Sequence, residues 1–134
     1  MLLSQRLKGI SYALIYFIIK EAPYMIHILY FKRKNFTYTL PAEVATSFFS
    51  RVRGLMGTKP GTVPGMLLVP CNAVHMFHMY YPLAISYLLK DGTVFHQEVL
   101  HPWQIGNTYK EAYAVLEIPL DLPSPEIGDV LLYW

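Results

Sequence analysis

The sequence predicts an α+β fold of mostly antiparallel strands, arranged as a compact roll or a partly open small barrel with one short α-helix. Three observations indicate this class. Short runs of β-branched and aromatic residues recur between turn signals. Only one segment, about 46–56, carries apolar residues at helical spacing, and Asp91-Gly92 is typical of a tight hairpin turn. Many short strands with one helix favour a small β-rich domain.

Two apolar segments, 25–31 and 36–40, flank a turn at 32–35 and predict the first hairpin. Residues 58–65 hold two Pro and two Gly, which is typical of a loop. The other strands are predicted at 66–69, 74–79, 83–89, 94–100, 112–118 and 130–134.

The predicted helix at about 46–56 has an apolar face formed by residues such as Phe48 and Val52. Thr46 or Ser47 can cap its start, because a hydroxyl can accept from a free backbone N–H of the first turn. Gly57 is the expected C-terminal stop.

Composition limits the function classes. The chain has 134 residues, which fits one domain of ordinary size. Its 11 basic and 9 acidic residues give a net charge of +2, too balanced for the basic face that nucleic acid requires. A single cysteine excludes an intramolecular disulfide, and no zinc-type Cys spacing is present. We therefore predict no nucleic-acid partner, no metal and no cofactor.

Residues 1–24 form a separate apolar segment in which Arg6 and Lys8 precede an apolar run at 10–19. The run is about half the length of a spanning helix. It suits a signal-peptide apolar region, but the usual small-x-small cleavage site is missing. A membrane-associating or export segment, an apolar helix packed on the domain, and sequence upstream of the true start all stay open. We expect weak membrane association through 1–24, a domain at 25–134, and a cytoplasmic or cell-envelope location.

The segment 70–82 is where we expect any functional site. It holds the only cysteine, two of the five histidines and a dense group of Met and aromatic residues. Functional side chains are usually carried by loops that rigid strands hold in place. Alternation along a strand would place His75 and His78 on opposite faces, which argues against a metal site shared with Cys71.

The same alternation predicts how the side chains of this segment face. His75, Phe77 and Met79 are expected to point inward. Met76 and His78 are expected to point outward.

A series of motifs follows in a fixed order along the chain. They are Arg51-x-Arg53-Gly54-Leu55-Met56-Gly57, Gly65-Met66-Leu67-Leu68, Pro70-Cys71-x-x-Val74-His75-x-Phe77-x-Met79, Pro82, Asp91-Gly92, Val115-Leu116-Glu117-Ile118-Pro119 and Gly128-Asp129. Over roughly residues 42–134 the chain resembles the DUF192 family of small bacterial and archaeal proteins. The resemblance implies a compact β-rich domain with one short helix and no established activity. Some members carry export signals, which implies an envelope location for those proteins.

The chain departs from the family pattern at two positions. Tyr80 stands where members usually carry a basic residue, and Ala84 where they usually carry an acidic one. Losing both partners of a buried ion pair costs less than stranding one of them. Either the pair is structural in the family or this chain has lost a charged site.

Several residues have competing interpretations. Arg51 is expected to anchor strand ends, because a guanidinium can donate to several carbonyls. The resemblance implies structural roles for Gly54 and Pro82. Glu117 either orients His75 or caps a strand end.

Two functions compete. The favoured one is a non-catalytic module that binds an unknown small ligand or protein through His75, Phe77, Trp103 and Glu117. Trp103 either forms a pocket wall or covers the open end of the fold. The alternative is a small thiol- or histidine-dependent, hydrolase-like enzyme that uses Cys71, His75 and Glu117.

Overall fold

The structure is a computed structural model, and it describes residues 25–134. The predictions for residues 1–24 therefore lie outside the described residues, and the domain boundary stays a prediction. The elements are β1 (Ile26–Arg33), β2 (Phe36–Ala45), α1 (Phe48–Arg53), β3 (Met66–Leu68), β4 (Leu83–Leu88), β5 (Val94–Leu100), β6 (Ala114–Pro119) and β7 (Val130–Tyr133). Over this range, no helix has the length and apolar character needed to cross a bilayer.

All seven strands form one sheet in the order β5-β4-β6-β3-β2-β1-β7. The pairing of β2 with β3 is parallel and the other neighbours are antiparallel, so the sheet is mixed. The sheet does not close, although a single bridge between Thr93 and Val130 joins the turn before β5 to the opposite edge strand. A β-rich fold with one short helix is thus confirmed.

The sheet buries a hydrophobic cluster on each face. Alternation sorts its residues, so that Met66 and Leu68 lie in one cluster while Leu67 lies in the other. The first cluster includes Val52 of α1 and Leu55 of the turn after it, and both residues pack against the sheet. That packing places the end of α1 directly over the sheet face.

The helix is shorter than the predicted range of about 46–56, because it occupies only Phe48–Arg53. Ser47 is the N-cap, and it exchanges hydrogen bonds with Ser50 in a capping box. Gly54, not Gly57, ends the helix, since its φ of 46° turns the chain out of the helical conformation. The chain then continues through turns towards the loop before β3.

The predicted strand at 74–79 was wrong, since only one isolated bridge, His75 with Ile105, occurs there. The backbone pairs instead with the following loop: Met76 N–H donates to Gln104 O at 2.7 Å and Met76 O accepts from Trp103 N–H at 2.8 Å. Because strand alternation does not hold, Met76 is fully buried and not outward-facing as predicted.

The hairpin predicted at Asp91-Gly92 joins β4 to β5. Asp91 Oδ1 accepts from Thr93 N–H at 2.9 Å. Gly92 has a φ of 92°, and a Cβ on it would lie 2.2 Å from Leu131 O. Only glycine fits there, because both the backbone angle and the approach of β7 exclude a side chain.

A buried ion pair holds α1 to the sheet. Arg53 Nη2 lies 2.6 Å from Glu43 Oε1 of β2, and both side chains are almost wholly buried. Burial raises the pKa of Glu43, and Arg53 opposes that rise. The pair therefore fixes the position of the helix more than it adds net stability.

We expect Arg53→Met to reduce the free energy of unfolding by about 3–5 kcal/mol, because it leaves the Glu43 carboxyl buried without this partner. Adding Glu43→Leu to Arg53→Met should restore most of the loss. Urea unfolding followed by circular dichroism measures both effects.

Arg51→Met is the matched control, since Arg51 bonds to exposed carbonyls and its loss should cost only about 1 kcal/mol. If the double variant were as unstable as Arg53→Met alone, the pair would not act as a unit.

Candidate functional site

A small cavity lies between the end of α1 and the sheet. Its walls include Gly54, Met79, His75 and Glu117. About 10 Å³ of it is open to the centre of a water molecule, which is room for roughly one water, and the cavity is partly open. The structure therefore brings His75 and Glu117 to one site.

Glu117 belongs to a row of residues that runs across the sheet. Glu43 of β2 pairs with Met66 of β3, Met66 with Glu117 of β6, Glu117 with Ile85 of β4, and Ile85 with Glu98 of β5. Directly paired residues project from the same face of a sheet. Three carboxyl groups thus share one face.

Two of these three carboxyl groups have partners. Glu43 binds Arg53, and Glu98 accepts from the hydroxyls of Tyr87 at 2.9 Å and Tyr109 at 3.0 Å. Glu117, only 5% exposed, makes no hydrogen bond or ion pair with any side chain or backbone group in the described range 25–134. Burial alone raises the pKa of Glu117 to about 8, so its carboxyl is mostly protonated at neutral pH.

Gly54 makes room for this carboxyl. A Cβ built on Gly54 would lie 3.4 Å from Glu117 Oε2, and any side chain there would begin to fill the cavity. The positive φ of Gly54 also disfavours other residues. The structural role that the family resemblance implied for Gly54 therefore has a physical basis.

His75 forms another wall of the cavity and is 7% exposed. Its Nδ1 accepts from the Phe77 N–H at 3.3 Å, which leaves the proton of the neutral ring on Nε2. Burial, and secondarily the charge of His78, lowers the pKa of His75 to about 4. His75 is thus uncharged at neutral pH and is held in one tautomer.

An aromatic rim, formed by Phe77, His78 and Trp103, adjoins the cavity through His75. Ring centroids are 4.9 Å apart for His75 and Phe77, 6.2 Å for Phe77 and Trp103, and 5.0 Å for His78 and Trp103. Trp103 is 57% exposed and does not line the cavity itself. The four predicted ligand-binding residues therefore form a connected series from Glu117 outward to Trp103.

Two residues of the rim have strained backbones. His78 has a φ of 60° and Trp103 a φ of 70°, and a bulky side chain such as Trp rarely adopts this region. Such strain costs on the order of 1–3 kcal/mol and persists only where surrounding structure imposes it. Here the hydrogen bonds between this loop and the 74–79 segment impose it.

Cys71 is buried beside the site but is not a wall of the cavity. Its thiol donates to Ala73 O at 3.0 Å. Burial raises the pKa of Cys71 to about 11, with a smaller contribution from the charge of Glu117. A nucleophilic cysteine requires a lowered pKa, so this environment does not prepare a thiolate.

Two further predicted residues support the site from outside. Arg51 donates to Ser47 O at 3.3 Å and to Pro70 O at 2.9 Å, which ties α1 to the segment that carries His75. Pro82 O accepts from Leu120 N–H at 3.3 Å next to the start of β4.

The two positions that depart from the family pattern do not form a buried pair. Tyr80 is 69% exposed, and Ala84 is half-buried. Charges at these positions would contact water at least in part. Losing one of them would therefore not leave its partner buried without a counter-charge.

Sequence reasoning missed the contribution of the helix end, because Arg53 to Met56 line the cavity above Glu117. The Gly54-Leu55-Met56-Gly57 run after a short helix was the available signal. Across residues 25–134, no three side chains of His, Cys, Asp or Glu gather in a way that could hold a metal ion.

Comparison with known proteins identifies relatives of this chain. A family model for DUF192, described as an uncharacterised ACR, matches residues 17–123. The resemblance inferred from motifs over roughly 42–134 is therefore confirmed, although the match begins and ends earlier. The UPF0127 protein of Thermococcus sibiricus is 27% identical over an alignment of 106 positions that covers 73% of this chain and 69% of that protein.

Two solved structures are similar to this fold. One, from Sinorhizobium meliloti, is described as a candidate transcription regulator; its TM-score is 0.64 at 25% identity, covering 83% of this chain and 95% of that one. The other is a protein of unknown function from Novosphingobium aromaticivorans. Its TM-score is 0.65 at 20% identity, and the match covers 86% of this chain and 96% of that one. Because the identity is so low, this second similarity shows only that the folds are alike.

The carboxyl of Glu117 should make stability fall as pH rises. Between its ordinary pKa of 4.5 and about 8, the folded state holds a proton that the unfolded state has released. His75 gives the opposite slope between about 4 and 6.5, because there only the unfolded state is protonated. Above pH 6.5 His75 no longer opposes the Glu117 effect, and we expect that effect to lower the free energy of unfolding by about 2 kcal/mol by pH 8.

Urea midpoints from pH 6.5 to 9 measure this slope in the wild type and in Glu117→Gln, which should lack it. Glu111→Gln is the matched control at an exposed position and should keep the slope. An identical slope in Glu117→Gln would mean that another group takes up the proton.

Proposed function

We propose, from the premise that this chain belongs to the DUF192 family, that its domain is a non-catalytic binding module for a small ligand. The ligand places a polar group against Glu117 and His75 and an apolar part on the aromatic rim. The family carries no established activity, so the proposal depends on the geometry of the site.

The unpartnered carboxyl of Glu117 is the observation that carries the proposal. Leaving a buried polar group without a partner costs about 1–3 kcal/mol, and proteins rarely keep such a group without a reason. Glu43 and Glu98, which stand in the same row of the sheet, both have partners, since Glu43 binds Arg53 and Glu98 accepts from Tyr87. A ligand group in the cavity would be the partner that Glu117 lacks.

The aromatic rim supports the same proposal. Trp103 is more than half exposed and has a φ of 70°, which glycine would adopt with less strain. Tryptophan is enriched where proteins contact partners, because it offers a wide and rigid apolar surface. Its contacts with Phe77 and His78 hold the ring next to the mouth of the site.

The thiol-dependent form of the enzyme alternative requires a reactive Cys71. The high pKa of its thiol and its hydrogen bond to Ala73 O oppose nucleophilic attack. His75 accepts a backbone N–H through Nδ1, which leaves only Nε2 for any proton transfer. A packing role for Cys71 fits these contacts better than a catalytic role.

Weak membrane association through residues 1–24 remains part of the proposal, on the evidence of the sequence. In the described range, the apolar residues Met25, Ile26 and Ile28 follow that segment directly and are exposed. They would extend an apolar surface from the segment onto β1. Fusing residues 1–24 to a soluble reporter and fractionating cells tests the prediction.

We expect native Cys71 to react with iodoacetamide at pH 7.5 about a hundredfold or more slowly than the urea-unfolded chain, because both burial and the raised pKa reduce the thiolate. The chain has one cysteine, so mass spectrometry measures the rate without ambiguity. A native rate equal to or above the unfolded rate would favour the enzyme alternative.

Trp103→Gly should keep the fold, because glycine adopts a φ of 70° without strain, and should abolish ligand binding. Thermal unfolding measures the first expectation. For the second, fractions of a small-molecule cell extract are titrated against a Trp134→Phe chain, in which Trp103 is the single fluorescent tryptophan. The fractions that bind are then titrated calorimetrically against Trp103→Gly.

The control is Trp103→Phe, which leaves Trp134 as the reporter on the final strand. Fractions that alter both reporters equally, or that still bind after Trp103→Gly, would contradict a site at the rim.

A further inference from the structure

We propose that the ligand of this cavity carries a primary ammonium group, which forms an ion pair with Glu117. This inference rests on the proposed binding function and names the chemical class of its ligand. Three observations support an ammonium ligand: the charges around Glu117, the size of the cavity and the π faces of the rim.

Within residues 25–134, Glu117 has no counter-ion. Arg51 and Arg53 contribute to the cavity wall, but their guanidinium groups bind elsewhere. Arg51 donates to the carbonyls of Ser47 and Pro70, and Arg53 pairs with Glu43. Neither is hydrogen-bonded to Glu117, so an incoming cation would find a carboxyl group without a counter-charge.

The size of the cavity favours a small cationic group. About 10 Å³ open to water centres admits one group as large as a water molecule. A primary ammonium has this size, and its three donors suit the two carboxyl oxygens of Glu117. A guanidinium is several times larger and would not enter without movement of Gly54 or Met79.

The aromatic rim also favours a cation. The faces of aromatic rings attract cations, and the effect is largest for tryptophan. Phe77 and Trp103 would draw an ammonium towards the cavity and would pack on the apolar part of the same ligand. His75 is neutral because of its burial and does not repel a positive charge.

Binding must also release a proton. The Glu117 carboxyl is mostly protonated at neutral pH, so an ion pair forms when its O–H bond breaks, the proton leaves to solvent and the carboxylate accepts from the ammonium. The titratable or charged groups near Glu117 are His75 and Cys71 from the 70–82 segment and Arg51 and Arg53 from α1. Its partners on the neighbouring strands, Met66 and Ile85, are apolar. The pKa is about 8 for Glu117, about 4 for His75 and about 11 for Cys71, so among these three groups Glu117 is the one that titrates between pH 6.5 and 9, and affinity should rise with pH up to about 8.

The test uses three probes that share one ring: benzylammonium, benzyl alcohol and benzoate. Each is titrated against the full-length Trp134→Phe chain, with the emission of Trp103 as the readout. Calorimetry at pH 7 in two buffers of different ionisation enthalpy counts the protons released. We expect benzylammonium to bind at least about tenfold more tightly than the other two, with about one proton released.

Glu117→Gln is isosteric with the protonated side chain and should reduce benzylammonium affinity about tenfold or more and abolish proton release. Glu111→Gln, at an exposed position, should change neither. Proton release by the wild-type chain is a second measurement that does not depend on the folding of a variant.

The outcomes separate this inference from the binding function. If benzyl alcohol or benzoate bound as well as benzylammonium, and Glu117→Gln or Trp103→Gly weakened that binding, the site would stand and the ammonium preference would be overturned. If benzylammonium bound without releasing a proton, or not at all, the ion pair would likewise be overturned. If all three bound equally to wild type, Glu117→Gln and Trp103→Gly, the site itself would be overturned.

Discussion

The ion pair between Arg53 and Glu43 is the interaction on which the site depends. It fixes the end of α1 over the sheet, and through the register Glu43 stands in the same row as Glu117. Gly54 follows Arg53 directly and lines the cavity opposite Glu117, so the ion pair also sets the distance between Gly54 and the Glu117 carboxyl. The site is therefore a gap between two elements whose separation is set by one buried contact.

Features with local causes could be predicted from the sequence. The serine cap, the Asp91-Gly92 hairpin and the β-rich class each depend on residues close together in the chain, and the structure confirms them. The strand predicted at 74–79 failed for a non-local reason. Its backbone donors and acceptors are engaged by the loop around Gln104, more than twenty residues later, and no pattern within the segment signals that pairing.

The sequence indicated residues that lie together in the structure, but it did not indicate their burial or their electrostatics. Motif order and residue type indicated His75, Phe77, Trp103 and Glu117, and the structure connects them. The register of four strand pairings aligns Glu117 with Glu43 and Glu98, but their partners come from outside this row. Arg53 of α1 binds Glu43 and the hydroxyls of Tyr87 and Tyr109 bind Glu98, whereas no side chain of residues 25–134 bonds to Glu117. Sequence spacing carries no information on such a row, because its members are separated by up to seventy-four residues in the chain.

A protonated carboxyl is a workable resting state for a cation site. A neutral acid costs far less to bury than a carboxylate, so the fold tolerates Glu117 without a partner. With a pKa of about 8, deprotonation at pH 7 costs about 1.4 kcal/mol, which reduces the affinity for a cation only about tenfold. A buried ion pair can be worth more than this, and the rim adds apolar contact that needs no proton. Burial that keeps the Glu117 carboxyl neutral would thus also strengthen its attraction to a bound cation, because little water would be present to screen the two charges.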